Sequence, residues 1–92
     1  MEKVRVHVFV EGKVQAVFYR TWTFKQACDL GLTGWARNIE DGRVEVVAEG
    51  EKKQIDKLIR LIKIGPPLAK VNHLDIIWEK KTGEFEGFEI IH

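Results

Sequence analysis

Alternation of apolar and other side chains is the clearest pattern at the start of the chain. Val4, Val6, Val8 and Val10 occupy every second position, and Arg5, His7, Phe9 and Glu11 lie between them or follow them. A period of two is typical of a β-strand with one buried face, so we predict a strand at about Val4 to Glu11. Similar reasoning predicts strands at 33–38, 43–49 and 71–79, and a short last strand at 85–91.

Two segments between these strands have helical spacing instead. In residues 22–32 the apolar side consists of Phe24, Ala27, Cys28 and Gly31. In the segment after Gly50 it consists of Ile55, Leu58, Ile59 and Ile62. Glycine is common just past the end of a helix, and proline cannot continue one. We therefore expect the first helix to end near Gly31 and the second to end at residues 65–67, Gly-Pro-Pro.

The predicted order is strand, helix, strand, strand, helix, strand, with a short C-terminal strand added. This order is the split βαβ arrangement of the ferredoxin-like α+β sandwich. We predict a single domain over residues 1–92, with two helices on one face of an antiparallel sheet and a more open second face. The same fold supports enzymes, metal carriers and RNA binders, so function has to come from particular residues.

Composition excludes several classes of function. A net charge of +1 gives no reason to expect nucleic acid or an anionic membrane as a partner. No apolar run has the length of a membrane span, and no signal peptide is visible. The single cysteine, Cys28, fits a reducing compartment. We expect a cytoplasmic monomer without membrane or nucleic-acid partners.

The link between the first strand and the first helix, residues 12–20, carries the most informative chemistry. Backbone N–H groups at a helix start have no intrahelical partner, and the helix dipole favours negative charge there. Successive N–H groups in a tight loop can surround an anion, and the guanidinium of Arg20 suits phosphate oxygens. The stretch indicates a phosphate-binding loop, although a helix-capping loop with a solvated arginine fits the same residues.

Asn38 stands at the end of the second predicted strand, where Glu40, Asp41 and Gly42 indicate a hairpin turn. An amide in this place can accept a hydrogen bond from a water molecule and donate one to it. Asparagine is also an ordinary turn residue, and the spacing alone leaves both interpretations open.

Together these stretches resemble the two signatures of the acylphosphatase family. The first signature, Gly-x-Val-Gln-Gly-Val-x-Phe-Arg, corresponds here to Gly12-Lys13-Val14-Gln15-Ala16-Val17-Phe18-Tyr19-Arg20. The second corresponds to Gly34-Trp35-Ala36-Arg37-Asn38, followed by Gly42, Val44 and Gly50. Two signatures in the right order, over nearly the whole chain, make the resemblance specific.

The resemblance implies hydrolysis of acyl phosphates to a carboxylate and inorganic phosphate, with no metal and no cofactor. It implies that Asn38 positions the attacking water. It also implies a phosphate-binding set that consists of Gln15, Ala16, Val17, Phe18, Tyr19 and Arg20. The expected partners are therefore a small-molecule acyl phosphate and phosphate itself, as product or inhibitor.

Two residues depart from the family pattern. Ala16 replaces the usual glycine, so a positive φ there would add strain, and we expect Ala16→Gly to raise kcat/KM or tighten phosphate binding. The alternative function is accordingly a weakly catalytic or non-catalytic anion-binding domain of the same fold, impaired by Ala16. Tyr19 replaces phenylalanine and brings a hydroxyl that needs a partner.

The remaining candidates for chemistry have structural interpretations. His7, His73 and His92 share no metal-ligand spacing with one another or with Cys28. We expect the three histidines to be solvated surface residues. We expect Cys28 to be a small core residue of the first helix, not a nucleophile.

Overall fold

The computed structural model of the protein describes residues 2–92 and confirms the predicted order of elements. In chain order they are β1 (Lys3–Lys13), α1 (Tyr19–Asp29), β2 (Thr33–Asn38), β3 (Val44–Glu51), α2 (Lys52–Ile64), β4 (Lys70–Glu79) and β5 (Phe88–Ile91). The first helix starts three residues earlier than predicted, and the last strand starts three residues later.

The five strands form one sheet in the order β4-β1-β3-β2-β5. The pairs β1–β3, β1–β4 and β2–β3 are antiparallel, whereas β2–β5 is parallel. The ferredoxin-like fold class is confirmed, but the expectation of a wholly antiparallel sheet is wrong for this last pair. The polar segment 80–87 carries the chain from the β4 edge to the opposite edge, so β5 enters beside β2 in the same direction.

Both helices pack on one face of the sheet, as predicted. The centre of this core is fully buried and consists of Val6, Val8, Val10, Val44, Val46, Ala48, Ile55, Leu58 and Ile62. The predicted apolar stripe of α2 is therefore confirmed, with Ile59 partly buried beside it. Within residues 2–92, neither helix is long and apolar enough to cross a membrane.

The buried side of α1 differs from the predicted one. It consists of Tyr19, Thr23 and Ala27, which are spaced four residues apart. Because each residue turns a helix by about 100°, Cys28 points away from this line. Cys28 is exposed, so its prediction as a core residue is wrong. The end of the helix is confirmed, since Gly31 has a φ of +71° and its N–H donates to the Cys28 carbonyl.

The second face of the sheet is covered in part by the segment that follows β4. Val47 is fully buried on this face, and Glu49 beside it is buried as well. The backbone N–H groups of Thr82 and Gly83 donate to the Glu49 carboxylate at 2.8 and 2.9 Å. Segment 80–87 thus covers the part of this face around Glu49. The face is still more open than the helix-covered one, as predicted, since Arg37 and Ile77 are exposed on it.

His7 lies on the same face between two carboxylates. Its Nε2 is 2.5 Å from Glu45 Oε2, and its Nδ1 is 3.1 Å from Glu79 Oε2. The bond from His7 lowers the pKa of Glu79, and Arg5 adds to this effect. The prediction of a solvated His7 is therefore wrong, whereas His73 and His92 are exposed as expected.

Candidate active site

A β-bulge at the end of β1 sets the direction of the loop that follows. The register with β4 shifts between Glu11 and Gly12, where φ is +137°. A Cβ atom on Gly12 would lie 2.0 Å from the carbonyl oxygen of Lys70, so only glycine fits this turn. The chain then buries Val14 and Val17, and these two side chains fix both ends of the tight bend between them.

The bend itself has an unusual backbone. Ala16 and Phe18 have φ values of +59° and +62°, which confirms the positive φ considered for Ala16. In the part of the chain that the structure describes, no backbone N–H of residues 15–20 donates to another protein group. α1 begins directly after Phe18, whose carbonyl accepts the first helical bond from Trp22 at 2.9 Å. A bend with unpaired N–H groups at a helix start is a suitable binding site for an anion.

Arg20 lies in the first turn of α1 and is held by the end of β5. Its Nη1 donates to the Ile91 carbonyl at 2.9 Å and lies 3.5 Å from Nδ1 of His92. Among the described residues, no partner engages its Nε or Nη2. No pattern in the sequence indicated this contact, because it depends on β5 joining the sheet beside β2.

Gln15 connects the loop to the β2–β3 hairpin. Its Nε2 donates to the carbonyls of Ile39 and Arg43, both at 2.9 Å. The side chain of Gln15 is thus occupied, and only its backbone N–H remains for an anion. Because Asn38 precedes Ile39 in this hairpin, Gln15 fixes the loop of residues 15–20 relative to Asn38.

One pocket of about 230 Å³ brings the predicted residues together. Arg20 and Asn38 both line it, with Ala16, Phe18 and Tyr19 from the loop. The side-chain oxygen of Asn38 is buried and, within residues 2–92, has no hydrogen-bond partner. Gln15 and Val17 belong to the same loop but do not line the pocket. The pocket therefore combines a cation, unpaired N–H donors and an unpaired acceptor.

Tyr19 supports the site without contributing an acid or base. Its side chain is buried, and its hydroxyl donates to the Ile62 carbonyl of α2 at 2.6 Å. Burial raises the pKa of this hydroxyl well above its ordinary value of 10.0, so the hydroxyl stays protonated. The partner that the tyrosine needed is thus a helix carbonyl, and the contact joins α1 to α2.

A cluster of possible metal ligands lies outside the pocket. Ligand atoms of Glu11, His73 and Asp75 come within 4.8 Å of one another, and all three residues are exposed. His73 Nε2 is already 2.9 Å from Asp75 Oδ1. None of the three residues lines the pocket of Arg20 and Asn38, whose donors suit an anion instead of a cation.

Comparison with known proteins assigns the chain to a family. A family model described as Acylphosphatase matches residues 6–90. The acylphosphatase of Pelotomaculum thermopropionicum is 49% identical over 90 residues, 98% of each chain. That of Methylococcus capsulatus is 51% identical over 87 residues, 95% of each chain. The crystal structure of acylphosphatase from Bacillus subtilis superposes with a TM-score of 0.93 at 29% identity, covering 97% of this chain and 99% of that one. A match of this extent, together with the pocket, shows that the chain belongs to the acylphosphatase family.

Proposed function

We propose that this protein hydrolyses acyl phosphates to a carboxylate and inorganic phosphate in the pocket of Arg20 and Asn38. The observation that carries the proposal is the presence of a guanidinium and an unpaired amide oxygen in one pocket, beside unpaired backbone N–H groups. Family membership supports the same activity and favours it over an anion-binding domain without catalysis.

The phosphoryl group binds at the start of α1. Its oxygens accept from the N–H groups of residues 15–20 and from the unpartnered nitrogens of Arg20. The Ile91 carbonyl holds the guanidinium in place before the substrate arrives. Donors that are already oriented need little reorganisation during the reaction, so they stabilise the charge that develops on the equatorial oxygens.

Asn38 orients the attacking water through its side-chain oxygen. The water oxygen attacks phosphorus, and the bond from phosphorus to the acyl oxygen breaks. Its electron pair leaves with the carboxylate, while a proton of the water passes to the phosphate product or to solvent. Because a carboxylate is a good leaving group, positioning and charge neutralisation suffice, and the proposed mechanism uses no metal and no cofactor.

The wider setting of the activity follows from composition and family. We propose that residues 1–92 act as one acylphosphatase domain, as a cytoplasmic monomer whose partners are small molecules and not nucleic acid or membrane. The near-zero net charge supports this proposal.

The direct test is phosphate release from benzoyl phosphate by the purified protein. Arg20→Lys keeps the charge but loses the planar fork, so kcat/KM should fall by roughly 10²–10³. Arg60→Lys, at an exposed position of α2, is the matched control and should retain activity. EDTA should leave the rate unchanged.

Three results would contradict the proposal. Near-normal turnover by Arg20→Lys would remove Arg20 from the mechanism. Loss of activity with EDTA would overturn the metal-free mechanism. Binding of inorganic phosphate without any turnover of benzoyl phosphate would favour the anion-binding domain.

A further inference from the structure

A second pocket adjoins the phosphate pocket along the exposed side of α1. It has a volume of about 440 Å³ and lies between α1 and the loop that follows α2. Apart from Thr21 and Lys25, its lining is apolar, with Phe18, Trp22 and Leu68 as the large side chains. We call it the apolar groove. Its size and apolar lining are those of small-molecule sites in general.

The two pockets are neighbours and share two lining residues. Phe18 and Thr21 line both of them. The backbone of Phe18 belongs to the bend that faces the anion, whereas its side chain is 77% exposed and forms part of the groove wall. Leu68, on the opposite wall, is 68% exposed. Two large apolar side chains that remain exposed beside a site indicate a surface that is covered when a ligand binds.

We infer that the apolar groove binds the acyl group of the substrate, and that the preferred substrates are acyl phosphates with an uncharged acyl group of several carbons. This inference rests on the proposed function. In an acyl phosphate a single oxygen joins phosphorus to the acyl carbon, so an acyl group must lie beside the bound phosphoryl group. The groove is an adjoining apolar space with two residues in common with the phosphate pocket.

The far end of the groove favours an uncharged group. Lys25 follows Phe18 by seven residues, a distance of about 10 Å along the helix, which is long enough for a chain of several carbons. Its ammonium group pairs with Asp29 at 3.7 Å, and its aliphatic stem lines the groove. The atoms that line the groove are apolar, so the groove offers no hydrogen-bond donor to a second carboxylate or phosphate.

Acyl groups of different length should therefore differ in kcat/KM. The methyl group of acetyl phosphate is too short to fill the groove, whereas hexanoyl phosphate adds four methylenes to an almost equally good leaving group. Each methylene that is fully buried contributes a factor of about four. We expect hexanoyl phosphate to be hydrolysed with roughly tenfold or higher kcat/KM than acetyl phosphate, since an open groove buries the chain only in part.

The test compares this ratio between variants. Leu68→Ser removes an apolar wall at an exposed loop position, so folding should be retained, and the hexanoyl-to-acetyl ratio should fall by roughly fivefold. The inhibition constant of inorganic phosphate, which does not reach the groove, should stay the same. Ile77→Ser, at an exposed position on β4, makes the same chemical change outside the groove and should keep the ratio.

The outcomes separate this inference from the proposed function. Phosphate release from neither substrate would overturn the proposed function, and the inference with it. Hydrolysis of both substrates with equal kcat/KM would overturn only the assignment of the groove. A hexanoyl-to-acetyl ratio of kcat/KM that Leu68→Ser leaves unchanged would do the same.

Discussion

Replacing Ala16 by glycine should raise the free energy of unfolding. Ala16 is exposed and has a φ of +59°, so its methyl group adds strain without packing against the core. A left-handed conformation costs an L-residue roughly 1–2 kcal/mol, which glycine avoids. Glycine also gives the unfolded chain more freedom, which costs roughly 0.4–1 kcal/mol. The difference is a stabilisation of roughly 0–1.6 kcal/mol, with a midpoint of about 0.8.

Thermal unfolding measures this difference directly. For a domain of this size, a stabilisation of about 0.8 kcal/mol corresponds to a rise in Tm of about 3–6 °C. Ala27→Gly is the contrasting control, because Ala27 lies inside α1, where glycine is unfavourable and Tm should fall. Urea unfolding of the same variants provides an independent value.

The kinetics of Ala16→Gly should change little, in contrast to the expectation from sequence alone. The bend already holds residue 16 at positive φ in the free protein, next to Arg20 and Asn38. Strain that is equal in the free enzyme and in the transition state cancels in kcat/KM. A tenfold increase in kcat/KM with an unchanged Tm would refute this reasoning, because it would mean that alanine keeps the bend out of its productive shape.

Two further predictions concern stability. Thr23 is fully buried, and its hydroxyl has no partner among residues 2–92. Thr23→Val should therefore raise the free energy of unfolding by roughly 1 kcal/mol in urea titrations. A clear decrease in that free energy would show that the hydroxyl is hydrogen-bonded. For Glu49, burial raises the pKa, but hydrogen bonds from Thr82, Gly83 and Arg5 outweigh it and place the pKa below the usual 4.5. The folded state then binds fewer protons than the unfolded state, so the stabilisation is complete above about pH 5 and is lost as pH falls through the folded pKa. The destabilisation caused by Glu49→Gln should accordingly shrink as the pH falls from 7 to 3. A difference in unfolding free energy that stays constant over this range would contradict the lowered pKa of Glu49. Glu86→Gln, at an exposed position, is the control.

The sequence predicted the features that depend on local chemistry. Alternating valines predicted β1, and the apolar spacing of residues 55–62 predicted the buried stripe of α2. The glycine that the family signature has at position 16 pointed to a positive φ there. In each case a few neighbouring residues determine the conformation, so their pattern could be interpreted without knowledge of the rest of the chain.

Features that depend on distant contacts were missed. The path of segment 80–87 follows from its bonds to Glu49, which lies more than thirty residues earlier in the chain. The same path places β5 beside β2 and brings Ile91 to Arg20. His7 was expected in solvent because its carboxylate partners are on other strands and become neighbours only through the sheet register.

The most direct test of the proposed site is the effect of Asn38→Ala on two constants in one experiment. The variant should lower kcat for benzoyl phosphate by roughly 10²–10³, because the attacking water loses its acceptor. The constant for competitive inhibition by inorganic phosphate should change less than about twofold, since phosphate binds Arg20 and the N–H groups instead. Asn72→Ala, at an exposed position of β4, should leave both constants unchanged. If phosphate inhibition weakened in proportion to kcat, Asn38 would be a phosphate ligand, and the proposed positioning of water would be contradicted.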